Sequence, residues 1–263
     1  MSPILHRLRQ PGAIRIEFQP IVRVHADHLE IYAFEALARG PRGTSMERPA
    51  VMFEYARRKG TESEIDLICI AQALISSAAL PGRPLISINV HGATLTSVPD
   101  FAERFLNSAE AYGHSPNRLM LEIVEYRAPW AIETFRATLD ELRDAGVHIA
   151  VDDLGVGASN YQMIVDAHPD HLKIDRHLVH GCSRDPWRKA VLQSVVTLAH
   201  ACAATPIAEG IEDLADLEVL LETGIDTVQG WLYAQSMPAL ELAAKSAQIL
   251  SPPIPQRMKG SCT

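Results

Sequence analysis

The chain of 263 residues carries 24 Lys and Arg against 32 Asp and Glu, a formal net charge of −8, and is 47% hydrophobic. That balance argues against broad electrostatic binding to DNA, RNA or anionic lipid, and the apolar content is that of an ordinary globular chain. No apolar run approaches the roughly 18–20 residues of a membrane span, and the start, MSPILHRLRQPG, has no apolar stretch of the kind a secretory signal needs. Cys69, Cys182, Cys202 and Cys262 show no CxxC spacing. Cys69 and Cys202 fall on apolar helical patterns, which predicts buried thiols and a reducing, cytoplasmic setting.

Short apolar strands alternate with amphipathic helices from end to end. IRIEFQPIV (14–22) and LEIYAFEAL (29–37) read as strands joined by a polar connection too short for a helix, so they are expected to pair antiparallel. Helical patterns follow over 49–60 and 64–80, then a strand over 85–90, a helix over 100–113 and a strand over 119–125. The rhythm continues with a helix over 131–146, a strand over 148–153, a short helix near 160–167, a strand over 171–175 and a long helix over 186–203. A strand and its exit over 206–212, a helix over 214–224, a strand over 226–233 and a final helix over 238–250 complete it. About eight strands interleaved with helices predict an α/β fold, a modified TIM (β/α)8 barrel with an antiparallel first strand, in one domain over 1–250. The Pro-rich residues 251–263 are expected to form a flexible C-terminal tail.

Polar residues close the apolar runs: Glu35, Asn89, Glu122, Asp152 with Asp153, Lys173 and Glu209. Buried carboxylates are costly unless a cation compensates them, and clustered oxygen donors suit Mg²⁺ or Mn²⁺. In a parallel barrel the C-terminal strand ends converge on one mouth, which brings residues distant in sequence together. Two divalent ions roughly 3.5–4 Å apart can stabilise an in-line displacement at phosphorus. Lys173 would then balance charge or orient water, and Glu209 would ligate metal or accept a proton.

The ordered set FQPI (18–21), EALAR (35–39), SINV (87–90), LEIVE (121–125), DDLGVG (152–157), LKID (172–175), AEGIE (208–212) and QG (229–230) resembles the EAL-type cyclic-di-GMP phosphodiesterases over about residues 14–240. Each match alone is weak; the ordered set is specific. The resemblance implies one divalent metal ion on Glu35, Asn89, Glu122 and Asp152, and a second on Asp152, Asp153 and Glu209, with Asp152 bridging. It places Lys173 near the attacking water, gives Glu209 a ligand role with a base role as the alternative, and puts Glu212 and Gln229 in support, Gln229 towards substrate. Gln19, Leu37 and Arg39 match substrate-side positions, and Arg39 suits a phosphate oxygen. The implied reaction hydrolyses cyclic-di-GMP to linear pGpG in bacterial signalling, by a homodimer joined through the 160–190 region.

Glu125 resembles the glutamate that steadies the loop after Asp153. That loop departs from the family, which usually has Phe at Leu154 and Thr at Val156. The departure leaves the metal ligands in place and touches the coupling between the loop and the site. A non-catalytic cyclic-di-GMP receptor acting through a protein partner is therefore the alternative function. A barrel glycosidase would use Glu122 and Glu209 as an acid–nucleophile pair, but it gives no task to Asp152, Asp153 or Lys173.

Bland readings stand beside these. Glu35, Asn89 and Arg39 could each be plain strand-end or loop residues, and Lys173 could pair with Asp175. Gly155 and Gly157 lack the rest of a dinucleotide loop. His168, His171, His177 and His180 lack cysteine partners for zinc and read as exposed or interface residues, and Arg57-Arg58-Lys59 as a helix-end cluster. If the loop departure impairs the site, Val156→Thr raises metal-dependent turnover of cyclic-di-GMP; an unchanged rate removes the loop from consideration.

Overall fold

Eight strands close into a barrel in chain order: β1 (Arg15–Val24), β2 (Leu29–Arg39), β3 (Leu85–His91), β4 (Leu119–Val124), β5 (His148–Leu154), β6 (His171–Ile174), β7 (Thr205–Glu209) and β8 (Thr227–Gln229). β1 runs antiparallel to both β2 and β8, and every other neighbouring pair is parallel. The computed structural model describes residues 3–124, 131–155, 160–252 and 254. Glu125, Val156, Gly157 and most of the tail expected over 251–263 lie outside the described residues.

The helices are α1 (Pro3–Leu8), α2 (Pro49–Arg58), α3 (Glu62–Ser77), α4 (Gly92–Ser97), α5 (Phe101–Ala111), α6 (Ile132–Asp144), α7 (Asn160–Ala167), α8 (Arg176–Val179), α9 (Pro186–Ala201), α10 (Leu214–Thr223) and α11 (Ala239–Ile249). Their starts are written locally. The Asp185 carboxylate accepts from the Trp187 and Arg188 N–H groups ahead of Pro186, and Asp213 accepts from the Asp216 N–H. The short helices α1, α4 and α8 carry too few residues to show a periodic stripe, so the sequence pattern does not reveal them.

Side chains on a strand alternate between faces. The outward set, including Phe18, Val22, Phe34, Ile88, Leu121 and Val151, packs against the helices as the main core. The inward set forms a smaller cluster of Ile21, Ala33, Met120, Ala150 and Ile207 that fills the barrel. Two residues further towards the mouth on each of these strands stand Gln19, Glu35, Glu122, Asp152 and Glu209. The same two-residue step leads from Ser87 to Asn89, from His171 to Lys173 and from Thr227 to Gln229. An apolar floor thus carries a polar layer.

Three expectations are corrected. The last strand ends at Gln229 rather than 233, because the chain turns at Gly230 and the Leu232 N–H bonds to the Ile211 carbonyl at 3.0 Å. Cys202 is exposed, since it terminates α9 instead of lying on its apolar face, whereas Cys69 and Cys182 are buried and free. His171 is 2% exposed rather than a surface residue; its inward position on β6 puts it in the barrel floor, where Nε2 lies 2.6 Å from the Tyr32 hydroxyl. No helix among the described residues is long and apolar enough to cross a membrane.

Burial, reinforced by neighbouring His148, lowers the His171 imidazole to about 4. The unfolded chain, with a His value near 6.5, binds this proton first as pH falls. Stability is therefore lost between pH 6.5 and about 4, approaching about 3 kcal/mol at the acid end. His171→Gln should flatten the dependence of the urea midpoint on pH across that window; an unaltered slope would place the titrating group elsewhere.

Candidate metal centre at the barrel mouth

The ammonium of Lys173 occupies the middle of the polar layer. Its Nζ lies 2.5 Å from Glu122 Oε1, 2.5 Å from Glu209 Oε1, 3.4 Å from Glu35 Oε2 and 3.9 Å from Asp152 Oδ1. Lys173 is 1% exposed and Glu122 fully buried. The pairing of Lys173 with Asp175 does not occur; Asp175 instead accepts from the backbone and ring nitrogens of His177.

Strand register explains the convergence. Asn89 pairs across from Glu122, Gln19 from Glu35, and Glu209 from Gln229. Asn89 Nδ2 donates to Glu35 Oε1 at 3.1 Å, and Gln229 Nε2 donates to Glu35 Oε2 at 2.6 Å. Ser87 Oγ donates to Glu122 Oε2 at 2.8 Å. The Asp153 N–H donates to Asp152 Oδ1 at 2.8 Å, from a residue in the left-handed region at φ 56°. Carboxylate atoms of Glu122, Asp152 and Glu209 all lie within 4.8 Å of one another.

The electrostatics follow from four carboxylates sharing one buried cation. Burial lifts the Glu122 carboxyl well above the ordinary range, although Lys173 pulls the other way. Burial likewise raises Asp152 and pushes Glu209 up to about 8. Glu35 is buried too, yet Lys173 and the donors Gln229 and Asn89 hold it below its usual value. Lys173, despite its own burial, is held well above the ordinary lysine range by the surrounding carboxylates. The cluster is short of positive charge, and its donors are hard oxygens. A hard divalent cation fits it.

Above the cluster opens a cleft of about 270 Å³, whose lining includes Gln19, Leu37, Arg176, Glu212, Gln229 and Trp231. A second, mostly apolar cavity of about 180 Å³ shares Leu37 and reaches Asn89, Phe53 and the buried pair Asp66–His91, whose Oδ1 and Nδ1 lie 2.9 Å apart. Of the residues marked in the sequence, the structure brings together Glu35, Asn89, Glu122, Asp152, Lys173, Glu209 and Gln229, with Gln19, Leu37 and Glu212 on the cleft wall. Asp153 is exposed at its strand end and outside the cleft lining. Arg39 is turned to β1, where Nε donates to Glu17 at 3.0 Å and Nη2 to Ser236 Oγ at 2.8 Å. Leu154 is buried.

Sequence reasoning missed Ser87, Glu17, Ser236, Asp66 and Trp231. Ser87 had a signal, since it sits two residues before Asn89 on the same strand face. The others depend on contacts between distant segments.

The chain belongs to the EAL domain family, whose sequence profile matches residues 4–236. It is 29% identical over 246 residues to the probable cyclic di-GMP phosphodiesterase PdeG of Escherichia coli, covering 91% of this chain and 48% of PdeG. It is 27% identical to the blue light- and temperature-regulated antirepressor BluF of Escherichia coli, covering 83% of this chain and 53% of BluF. Among solved structures it resembles Klebsiella pneumoniae BlrP1 in a calcium/cyclic-di-GMP complex, with TM-score 0.76 and 29% identity, covering 90% of this chain and 58% of that one. BlrP1 is also known in a manganese/cyclic-di-GMP complex. The chain spans about half of PdeG and 34% of a relative from Azorhizobium caulinodans.

Replacing Lys173 with Met removes the compensating charge and leaves buried carboxylates unpaired. Lys173→Met should destabilise the protein in EDTA by about 3–5 kcal/mol at neutral pH, the usual cost of breaking a buried ion pair. Urea denaturation checks this, and a loss under 1 kcal/mol would show that the carboxyls neutralise themselves.

Proposed function

We propose that this chain is a metal-dependent phosphodiesterase that hydrolyses one ester of cyclic-di-GMP to give linear pGpG. The observation that carries the reading is the under-compensated cluster of Glu35, Glu122, Asp152 and Glu209 around Lys173 at the barrel mouth. The similarity to PdeG, and to BlrP1 in its calcium and manganese complexes with cyclic-di-GMP, supports it. Two Mg²⁺ or Mn²⁺ ions would complete the site, one held by Glu35, Asn89, Glu122 and Asp152, the other by Asp152 and Glu209 with Asp153 reaching in from the exposed strand end. Bound there, they supply positive charge against the phosphodiester and its transition state, and they acidify water.

The chain's own residues do the rest. Asn89 donates through Nδ2 to Glu35, which leaves its amide oxygen as a ligand. Gln229 fixes the orientation of Glu35 from the other side, as second-shell donors do at metal sites. Lys173 keeps its proton among the carboxylates and orients the attacking water by hydrogen bonding. Glu209 serves as a ligand, and bound cations would supply the positive charge that its buried carboxylate lacks. Gln19, Leu37 and Glu212 form the wall against which the nucleotide rests, and Arg39 takes a phosphate oxygen once it leaves Glu17.

The protein acts in the cytoplasm as a homodimer. Tyr161 and Val165 on α7 and Trp187 and Val191 on α9 are exposed, Trp187 at 81%. Such an apolar surface suits a second copy. BluF is an antirepressor, which favours the second reading, a receptor that binds the dinucleotide without cleaving it.

Incubation with cyclic-di-GMP and Mn²⁺ or Mg²⁺ decides between them. The expected result is pGpG, lost on adding EDTA and reduced more than about a hundredfold in Glu35→Ala, beyond the 10–100-fold typical of second-shell changes. Tight binding with no pGpG selects the receptor, and unchanged turnover in Glu35→Ala would refute its place among the ligands.

A further inference from the structure

We infer that Trp231 is a positioning residue that stacks one purine base of the substrate on the β8 side of the cleft. The inference rests on the phosphodiesterase reading of the site and deepens it. Trp231 directly follows Gln229-Gly230 and leaves its indole 61% exposed on the cleft wall. Of the cleft-lining residues, among those described, only Leu37 and Trp231 carry apolar side chains. A fixed aromatic face on the wall of a polar cleft offers a flat ligand group a stacking surface.

The segment that presents the indole is held from several sides. A Cβ on Gly230 would stand 2.0 Å from the Ile211 carbonyl oxygen, so only glycine lets the chain pass there. The Leu232 N–H bonds to Ile211, and those of Tyr233 and Ala234 bond to the Gly230 carbonyl. Gln19 Nε2 reaches the Ala234 carbonyl at 2.9 Å, and Phe18 and Met237 exchange backbone hydrogen bonds of 2.7 and 3.0 Å. A platform fixed in this way loses little freedom when a ligand docks.

The surroundings select the kind of ligand group. Glu35, Asp152, Asp175, Glu209 and Glu212 outnumber Lys173 and Arg176 on the cleft lining, so phosphate affinity draws mainly on bound cations. A neutral, flat base is indifferent to that charge and stacks on any aromatic face. A cyclic dinucleotide whose scissile phosphate sits over the carboxylates extends one base to each side. The apolar cavity beside Leu37 and Phe53 receives one; on the β8 side the available surface is the indole of Trp231.

The test is steady-state kinetics on cyclic-di-GMP with Mn²⁺. Trp231→Ala should raise KM by about tenfold or more, within the range for losing one base–aromatic stack, with kcat changed by less than about twofold. Trp231→Phe should recover most of that loss. With Trp130→Phe and Trp187→Phe as background, Trp231 emission should be quenched on adding cyclic-di-GMP. An unmoved KM, or a loss confined to kcat, overturns the inference. Bis(p-nitrophenyl) phosphate, a diester without a purine, separates the two levels. If wild type cleaves it with Mn²⁺ while KM for cyclic-di-GMP is unmoved in Trp231→Ala, only the stacking role falls. If wild type cleaves neither ester, the phosphodiesterase reading falls as well.

Discussion

The site depends on a single buried ammonium. Lys173 has its charge inside a closed barrel, and four carboxylates point at it from β2, β4, β5 and β7. Removing charged groups from water costs several kcal/mol each, so no member of this set is stable there alone. The ammonium keeps Glu35 ionised but does not extend to all four; burial still drives Glu122 and Glu209 towards their protonated forms. A protein that tolerates such an imbalance is arranged for further positive charge. The same imbalance that limits its stability makes it receptive to divalent cations.

The fold places these groups through the two-residue period of a strand. Ala33, Met120, Ala150 and Ile207 fill the barrel below the layer in which Glu35, Glu122, Asp152 and Glu209 stand. Moving any one of these strands by a single residue would put a carboxylate into the outer core and an apolar side chain into the mouth. Register is therefore a functional constraint as well as a packing one. The antiparallel first strand has a related consequence. Because β1 runs against its neighbours, Gln19 sits opposite Glu35, and the turn after β8 can form its Phe18–Met237 bridge along the same edge.

What was legible in the sequence was whatever a local pattern could carry. A carboxylate closing an apolar run is anomalous within five or six residues, so Glu35, Glu122, Asp152 and Glu209 could be read directly, and their order matched a family. The strands and long helices were legible for the same reason. Contacts between distant segments were not. Nothing near Ser236 indicates that it will meet Glu17, and His171 looks like a surface residue until the barrel closes around Tyr32. Cys202 shows the limit within a single helix: the apolar period ran on to it, but the helix ended first.

Arg39 shows why the position of a residue in a motif does not fix its state. Its guanidinium bonds Glu17 and Ser236, and the side chains of Arg39 and Glu17 are each about a quarter exposed. An ion pair that water still reaches contributes little to stability, typically 0–1 kcal/mol. A phosphate offering two oxygens to the same fork is a stronger partner. The Glu17 contact therefore holds the arginine at low cost and can yield to a ligand that the acidic cleft would otherwise repel. Ser236 lies on the segment that also carries Trp231, whose other end is bonded to β1 at Phe18. Drawing Arg39 from Ser236 and covering Trp231 with a base would thus act on one short, well-anchored stretch of chain.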